Sequence, residues 1–140
     1  MRIDGRCHCG NISFKFDWPG EGDIPARACG CTFCTKHGGV WTSHPRGALA
    51  VTIDDEALVS PYLFGTKSAT FHICTRCGVV PVVTSEIDGK TYAVVNVNTF
   101  ENVQAERLKK AGADFEGEEK GVRLARRVRN WIADVRFAKG

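Results

Sequence analysis

Cysteine is the residue type most able to do chemistry in this chain of 140 residues, which contains seven cysteines. A lone cysteine usually behaves as a small buried apolar side chain, and that role predicts scattered positions. The seven fall instead into three tight groups, at positions 7 and 9, at 29, 31 and 34, and at 74 and 77. An odd count cannot pair completely into disulfides, and cytosolic thiols stay reduced. The grouping therefore predicts metal binding, with zinc as the expected metal.

Coordination number suggests how the cysteines divide between two sites. Structural zinc is almost always held by four protein ligands in a tetrahedron, whereas catalytic zinc keeps one position open. The three cysteines within residues 29–34 are close enough in sequence to hold one ion and leave a position free. Gly10 and Gly78 directly follow the two outer pairs and permit the backbone bend that each pair needs. We predict a structural zinc on Cys7, Cys9, Cys74 and Cys77, and a second zinc on Cys29, Cys31 and Cys34.

The chemistry of the group of three depends on whether a fourth ligand closes it. His37 is the nearest candidate, with His8 and His44 as others, and a closed second structural site is therefore one alternative. An iron–sulfur cluster is another, and a redox sensor that releases zinc on oxidation is a third. In an open site, three thiolates make the ion a poor generator of hydroxide but a suitable place for an incoming thiol. We therefore expect thiol chemistry at this site.

Composition and charge narrow the classes of partner. A hydrophobic fraction of 43% and a charged fraction of 25% are ordinary for a soluble globular domain. The net charge of +3 is too small to favour nucleic acid as a partner. No apolar run approaches the roughly 20 residues of a membrane-spanning helix, and residues 1–7 lack the apolar stretch of a signal peptide. We expect a cytoplasmic protein without a membrane partner, and the sequence leaves its oligomeric state open.

The apolar pattern predicts a body that is mainly β. Residues 12–18 alternate as a half-buried strand does, with four apolar side chains on one face: Ile12, Phe14, Phe16 and Trp18. Residues 48–53 and 63–74 favour two further strands. Asp88-Gly89 predicts a two-residue turn between strands over 79–87 and 90–100. Pro81 indicates that the first of these is an edge strand or contains a bulge.

The residues after Phe100 predict a helical C-terminal tail. We expect a short helix over 101–111, ended by Gly112, and a longer one over 122–137 with apolar residues at helical spacing. The chain would then consist of a zinc-binding β domain over 1–100 and a helical extension over 101–140 packed on the same domain. Four arginines of the longer helix form either a solvated face or a basic surface for an acidic partner: Arg123, Arg126, Arg127 and Arg129.

The cysteine motifs resemble those of the glutathione-dependent formaldehyde-activating enzyme family, also called the GFA or CENP-V/GFA domain. The resemblance covers residues 5–100, and Lys36 and the Gly38-Gly39 pair also fit it. The matching motifs are Cys7-His8-Cys9-Gly10, Cys29-x-Cys31-x-x-Cys34 and Cys74-x-x-Cys77-Gly78. The resemblance implies an Mss4-like fold of β-sheets around zinc. In that fold, the two outer pairs would be the structural ligands and the group of three would hold the catalytic zinc.

The activity that the resemblance implies is a carbon–sulfur lyase reaction run in reverse. The thiol of glutathione, the co-substrate, would add to formaldehyde or another small aldehyde and give S-hydroxymethylglutathione, with zinc at both sites of each chain. Glutathione has two carboxylates, for which Lys36 and Arg46 are the first candidate contacts and Lys67 and Arg76 are weaker ones. The alternatives are a non-catalytic zinc-binding glutathione carrier and a protein or nucleic-acid interaction module, which the arginine-rich tail favours.

Overall fold

The computed structural model describes residues 1–115 and 117–140, and within them the chain forms two β-sheets and two short α-helices. One sheet has four strands, which are Arg2–Arg6 (β1), Ile12–Asp17 (β2), Ala48–Ile53 (β5) and Asp134–Lys139 (β11). The other has seven, which are Ile24–Cys29 (β3), Val40–Thr42 (β4), Val59–Tyr62 (β6), Thr70–Cys74 (β7), Val82–Ile87 (β8), Lys90–Asn96 (β9) and Leu108–Ala113 (β10). The helices are Thr32–His37 (α1) and Lys120–Asn130 (α2). The mainly β class with a C-terminal helix is confirmed.

Strand order brings distant parts of the chain together. The small sheet runs β1-β2-β5-β11 and the large one β10-β3-β4-β9-β8-β7-β6. Two pairs are parallel, β10 with β3 and β11 with β5, and the other pairs are antiparallel. Both parallel pairs join a strand of the C-terminal region to an earlier strand. This arrangement supports the proposal that residues 101–140 pack on the same domain as residues 1–100.

The alternation over residues 12–18 produces the predicted buried face. Ile12, Phe14, Phe16 and Trp18 are all buried, while Lys15 between them is exposed. Their side chains belong to the main core cluster, which also takes residues from strands of the seven-stranded sheet. Burying large apolar side chains against a second sheet is the main stabilisation that such a strand can obtain. The same cluster contains two of the seven cysteines, Cys7 and Cys74.

The Asp88-Gly89 turn joins β8 and β9 as predicted, with Ile87 paired to Lys90. Asp88 and Gly89 have φ values of 51° and 77°, as a turn of this type requires. The interpretation of Pro81 was wrong, because it lies just before β8, which is an interior strand between β7 and β9. The predicted strand over 63–74 was too long, since β7 begins at residue 70.

The secondary structure after Phe100 differs from the predicted pair of helices. Residues 101–111 contain a 3-10 turn, Ala105–Arg107, followed by β10, which pairs in parallel with β3. Helix α2 ends at Asn130, and residues 134–139 form β11 beside β5. Pairing with a distant strand supplies backbone hydrogen bonds that local helix propensity does not anticipate. Within the described residues, no helix is long and apolar enough to span a membrane.

Candidate metal centres and the adjoining cavity

The four cysteines of the two outer pairs meet at one point. Cys7 directly follows β1, in the four-stranded sheet, and Cys74 ends β7, in the seven-stranded sheet. Each of these strands brings one cysteine pair to the meeting point. All four Sγ atoms lie within 4.8 Å of one another, and Cys7 and Cys74 are fully buried. Two tight turns shape the pairs, with Gly10 donating to the Cys7 carbonyl and Gly78 donating to the Cys74 carbonyl.

The spacing of these sulfurs fits a tetrahedral zinc ion. Four sulfurs at about 2.3 Å from a central ion stand about 3.8 Å apart. The Sγ atoms of Cys7 and Cys9 are 3.8 Å apart, and those of Cys9 and Cys74 are 3.5 Å apart. All of these cysteines are free thiols, since a disulfide requires about 2.05 Å. The Ile12 N–H donates to the Cys7 Sγ at 3.3 Å, the kind of backbone contact that supports a metal thiolate.

The other three cysteines come from one short stretch of chain. Cys29 ends β3, Cys31 caps α1, and Cys34 lies within that helix. Their Sγ atoms also lie within 4.8 Å of one another. The Cys34 N–H donates to the Cys31 Sγ at 3.4 Å, which orients that sulfur. Gly38 adopts the left-handed backbone conformation, with φ of 74°, and ends this helix of six residues.

The pKa values of Cys34 and Cys29 are shifted in opposite directions. The buried Cys34 Sγ accepts a hydrogen bond from the Trp41 indole Nε1–H at 3.4 Å. The hydrogen bond between the two thiols holds the pKa of Cys29 below its usual range and raises the pKa of Cys34. Cys29 is therefore the thiol of this pair that most readily gives up its proton, as a metal ligand must.

The structure brings no histidine into the group of three within the part of the chain that it describes. The nearest candidate, His37, packs against Phe33 with ring centroids 4.4 Å apart and the rings tilted by 47°. Its Nε2 is buried without a hydrogen-bond partner, and burial lowers its pKa. His8 and His44 are likewise outside the group of sulfur donors. Among the described residues no histidine, carboxylate or further cysteine joins the three sulfurs, and three ligands would leave one position of a tetrahedral ion open.

A cavity of about 540 Å³ opens beside these three sulfurs. All three cysteines line it, and much of its remaining wall is aromatic: Trp41, Phe64, Phe71, Phe115 and Trp131. A pocket of this size, mostly apolar with a few polar groups, is typical of a small-molecule site. The polar part of the wall consists mainly of arginine side chains and Glu118.

A model of the glutathione-dependent formaldehyde-activating enzyme (GFA) family matches residues 2–117. The chain belongs to the GFA family. Its family match extends past residue 100, where the sequence resemblance was expected to end. The match supports, at the level of the family, an enzyme that uses glutathione and formaldehyde.

Solved and curated proteins add little beyond the fold of this GFA chain. A crystal structure of a Rhodobacter sphaeroides protein, a structural genomics target, has a TM-score of 0.50 and 24% sequence identity, covering 74% of this chain and 92% of that one. Similarity at that level of identity indicates a shared fold. No curated protein matches the chain significantly.

The cationic residues of the GFA chain's cavity differ from the expected ones. Lys36 and Arg46 are exposed, and neither lies in the described lining of the cavity; the same holds for Lys67 and Arg76. The arginines in the lining are Arg27, Arg123, Arg126 and Arg127. Arg27 is on β3, two residues before Cys29, and this proximity to the cysteine group is the sequence signal that was missed. The other three were noticed as a group but were expected to face solvent or a partner.

Proposed function

We propose that this GFA chain joins the thiol of glutathione to formaldehyde or another small aldehyde, giving S-hydroxymethylglutathione or its homologue. The observation that carries the proposal is the three-sulfur donor set of Cys29, Cys31 and Cys34, open to a cavity of about 540 Å³. Family membership supports glutathione and formaldehyde as substrates. In this proposal the chain is a carbon–sulfur lyase working in the direction of addition.

The proposed zinc ligands fit the ion at both places by donor type and number. Cys7, Cys9, Cys74 and Cys77 would hold a structural ion, and the group of three would hold the second. A zinc ion in the open site would favour the thiolate form of an incoming thiol over the thiol. The chain's own contribution is to orient the sulfurs, through Trp41 on Cys34 and through the Cys34 N–H on Cys31.

The addition itself balances without any oxidant or reductant. The glutathione sulfur forms a bond to the aldehyde carbon, the carbonyl π bond breaks, and its electron pair moves to oxygen. The proton that the thiol loses returns to that oxygen as the hydroxyl of the product. The aromatic wall, with Trp41, Phe71 and Trp131, excludes water from the reacting atoms and holds the two reactants together.

The addition also proceeds without a protein, so the test must compare rates. Magnetisation-exchange NMR on mixtures of formaldehyde and glutathione gives the rate of adduct formation at equilibrium. We expect acceleration proportional to the concentration of zinc-loaded protein, and none from Cys31→Ser. Binding of glutathione without any acceleration would contradict the enzymatic function and favour the glutathione carrier.

The interaction-module alternative loses its main support in the orientation of the C-terminal helix. Of the four arginines that favoured it, Arg127 is buried and Arg123 and Arg126 are largely covered, so that Arg129 alone among these four is exposed. A basic surface for nucleic acid needs several accessible cations. The small-molecule function is therefore the one that the cavity supports best.

A further inference from the structure

Helix α2 is turned so that three of its arginines, Arg123, Arg126 and Arg127, line the cavity, while some of its apolar residues face solvent. Arg127 is only 5% exposed, whereas Val122 and Val128 are 54% and 43% exposed. The side chains of Arg126 and Arg123 retain 15% and 20% of their exposure. Burying arginine beside exposed valine is unfavourable for a helix that serves only to cover a core. The orientation therefore indicates a role for the guanidinium groups inside the cavity.

These arginines are fixed in place by the surrounding chain. The Arg127 Nη1 donates to the Ser68 carbonyl at 3.1 Å and to the Ser85 hydroxyl at 3.2 Å, and its guanidinium lies 4.9 Å from the Trp131 ring centre. The Arg126 guanidinium stacks on Phe115 at 3.6 Å. Guanidinium groups held in this way are preorganised for a planar anion.

Among the described residues that line the cavity, cationic side chains outnumber carboxylates. In the described lining of the cavity, four arginines face one carboxylate, that of Glu118. Arg27 brings the fourth charge from β3. Nε atoms of Arg123 and Arg127 are buried without a hydrogen-bond partner, although the Arg123 Nε lies 3.9 Å from a Glu118 oxygen. A buried donor without an acceptor is unfavourable, so the wall has capacity for a further anion.

Glu118 indicates which anion the wall fits. Its two carboxylate oxygens accept from Arg126 Nε at 3.2 and 3.3 Å and from Arg126 Nη2 at 3.1 Å. This is the two-pronged geometry in which arginine recognises a carboxylate. The wall is thus already shaped to a carboxylate at one point, and the three sulfurs of the open site line the same cavity.

We infer that Arg27, Arg123 and Arg126 form a carboxylate-binding wall that selects an acidic thiol, such as glutathione, for the three-cysteine site. Arg127 is a positioning residue: its hydrogen bonds to Ser68 and Ser85 hold it in place beside the wall. This inference rests on the proposed function, because it assumes that a thiol enters the cavity. Three of the four arginines lie in α2, beyond residue 117, where the family match ends.

The test compares glutathione with its diethyl ester, which keeps the thiol and lacks both carboxylates. Isothermal calorimetry on the zinc-loaded wild type should give at least about tenfold tighter binding of glutathione than of the ester, the value of one charged contact. Arg126→Gln should abolish that preference. Arg129→Gln, on the exposed side of the same helix, is the matched control and should keep it.

A second variant is needed because Arg126→Gln leaves Glu118 without its main partner, and a free carboxylate would itself repel glutathione. The double variant Glu118→Gln/Arg126→Gln removes that repulsion and should still lack the preference. Equal binding of acid and ester by the wild type, or a preference retained in the double variant, would overturn the inference. So would loss of one zinc in a folded Arg126→Gln, since the arginines would then balance the charge of the metal site.

Failure of the proposed function gives a different result. If the wild type bound neither glutathione nor the ester, no thiol would enter the cavity, and both proposals would fall. Ester binding without an acid preference would leave the proposed function intact and overturn the inference about the arginine wall alone.

Discussion

The four-cysteine and three-cysteine groups use the same ligand atom but are built in opposite ways. The four-cysteine group joins positions that are 65 residues apart, Cys9 and Cys74, and two of its members belong to the core between the sheets. The three-cysteine group comes from residues 29–34 and lies at the wall of a cavity. Ligands that are distant in sequence allow a metal to hold the fold together. Ligands that are close in sequence allow the fold to hold a metal and leave one side open.

This difference assigns the larger share of stability to the four-cysteine group. A metal that closes a long loop restricts the unfolded chain more than one that closes a short loop. Zinc binding in small peptides contributes on the order of 10–16 kcal/mol near neutral pH. The three-cysteine group begins at the end of β3, which is already held by its pairing with β4 and β10.

The largest predicted effect is that of Cys77→Ser. Loss of one of the four ligands in the four-cysteine group should leave the chain unfolded or insoluble at room temperature. The stabilisation lost with the metal would be comparable to the net stability of a single domain, which is only about 5–15 kcal/mol. Circular dichroism and thermal melting measure how much folded structure the variant retains. Cys31→Ser is the matched variant in the other group and should retain a cooperative transition. If Cys77→Ser melted as the wild type does, the larger stabilising role given to the four-cysteine group would be contradicted.

A smaller effect is predicted for Trp41→Phe, which removes the indole donor to Cys34 and keeps most of the aromatic packing. Hydrogen bonds to metal ligands typically change metal affinity by about 10–100-fold. A chelator competition should show weaker zinc binding at the three-cysteine site and unchanged binding at the other. Trp18→Phe, in the core on the side of the four-cysteine group, is the control and should alter neither affinity. Equal weakening at both sites would contradict the role given to Trp41.

Much of the site could be anticipated from the sequence because cysteine spacing constrains geometry directly. Coordination number and cysteine spacing together divided the seven cysteines into the groups that the structure assembles. Alternation over residues 12–18 and the Asp88-Gly89 turn are similarly local signals, and both were correct. The alternation, the turn and the three-cysteine group depend on neighbours within a few residues, and the joining of the two distant pairs follows from the four ligands that structural zinc requires.

The features that the sequence did not reveal depend on partners far along the chain. Residues 108–113 form a strand because β3 lies beside them, and residues 134–139 do so because of β5. The arginine pattern of α2 could not show which side of the helix faces the cavity. Ser68 and Ser85 contact Arg127 from positions 59 and 42 residues away in sequence, so the helix pattern by itself does not contain these contacts.

Zinc content per chain, measured on protein purified with a mild reductant, tests the division into two sites most directly. We predict about two ions in the wild type and about one in Cys31→Ser, with the variant still folded, because the two groups bind independently. About one ion in both proteins would contradict the second site and with it the proposed reaction at the cavity.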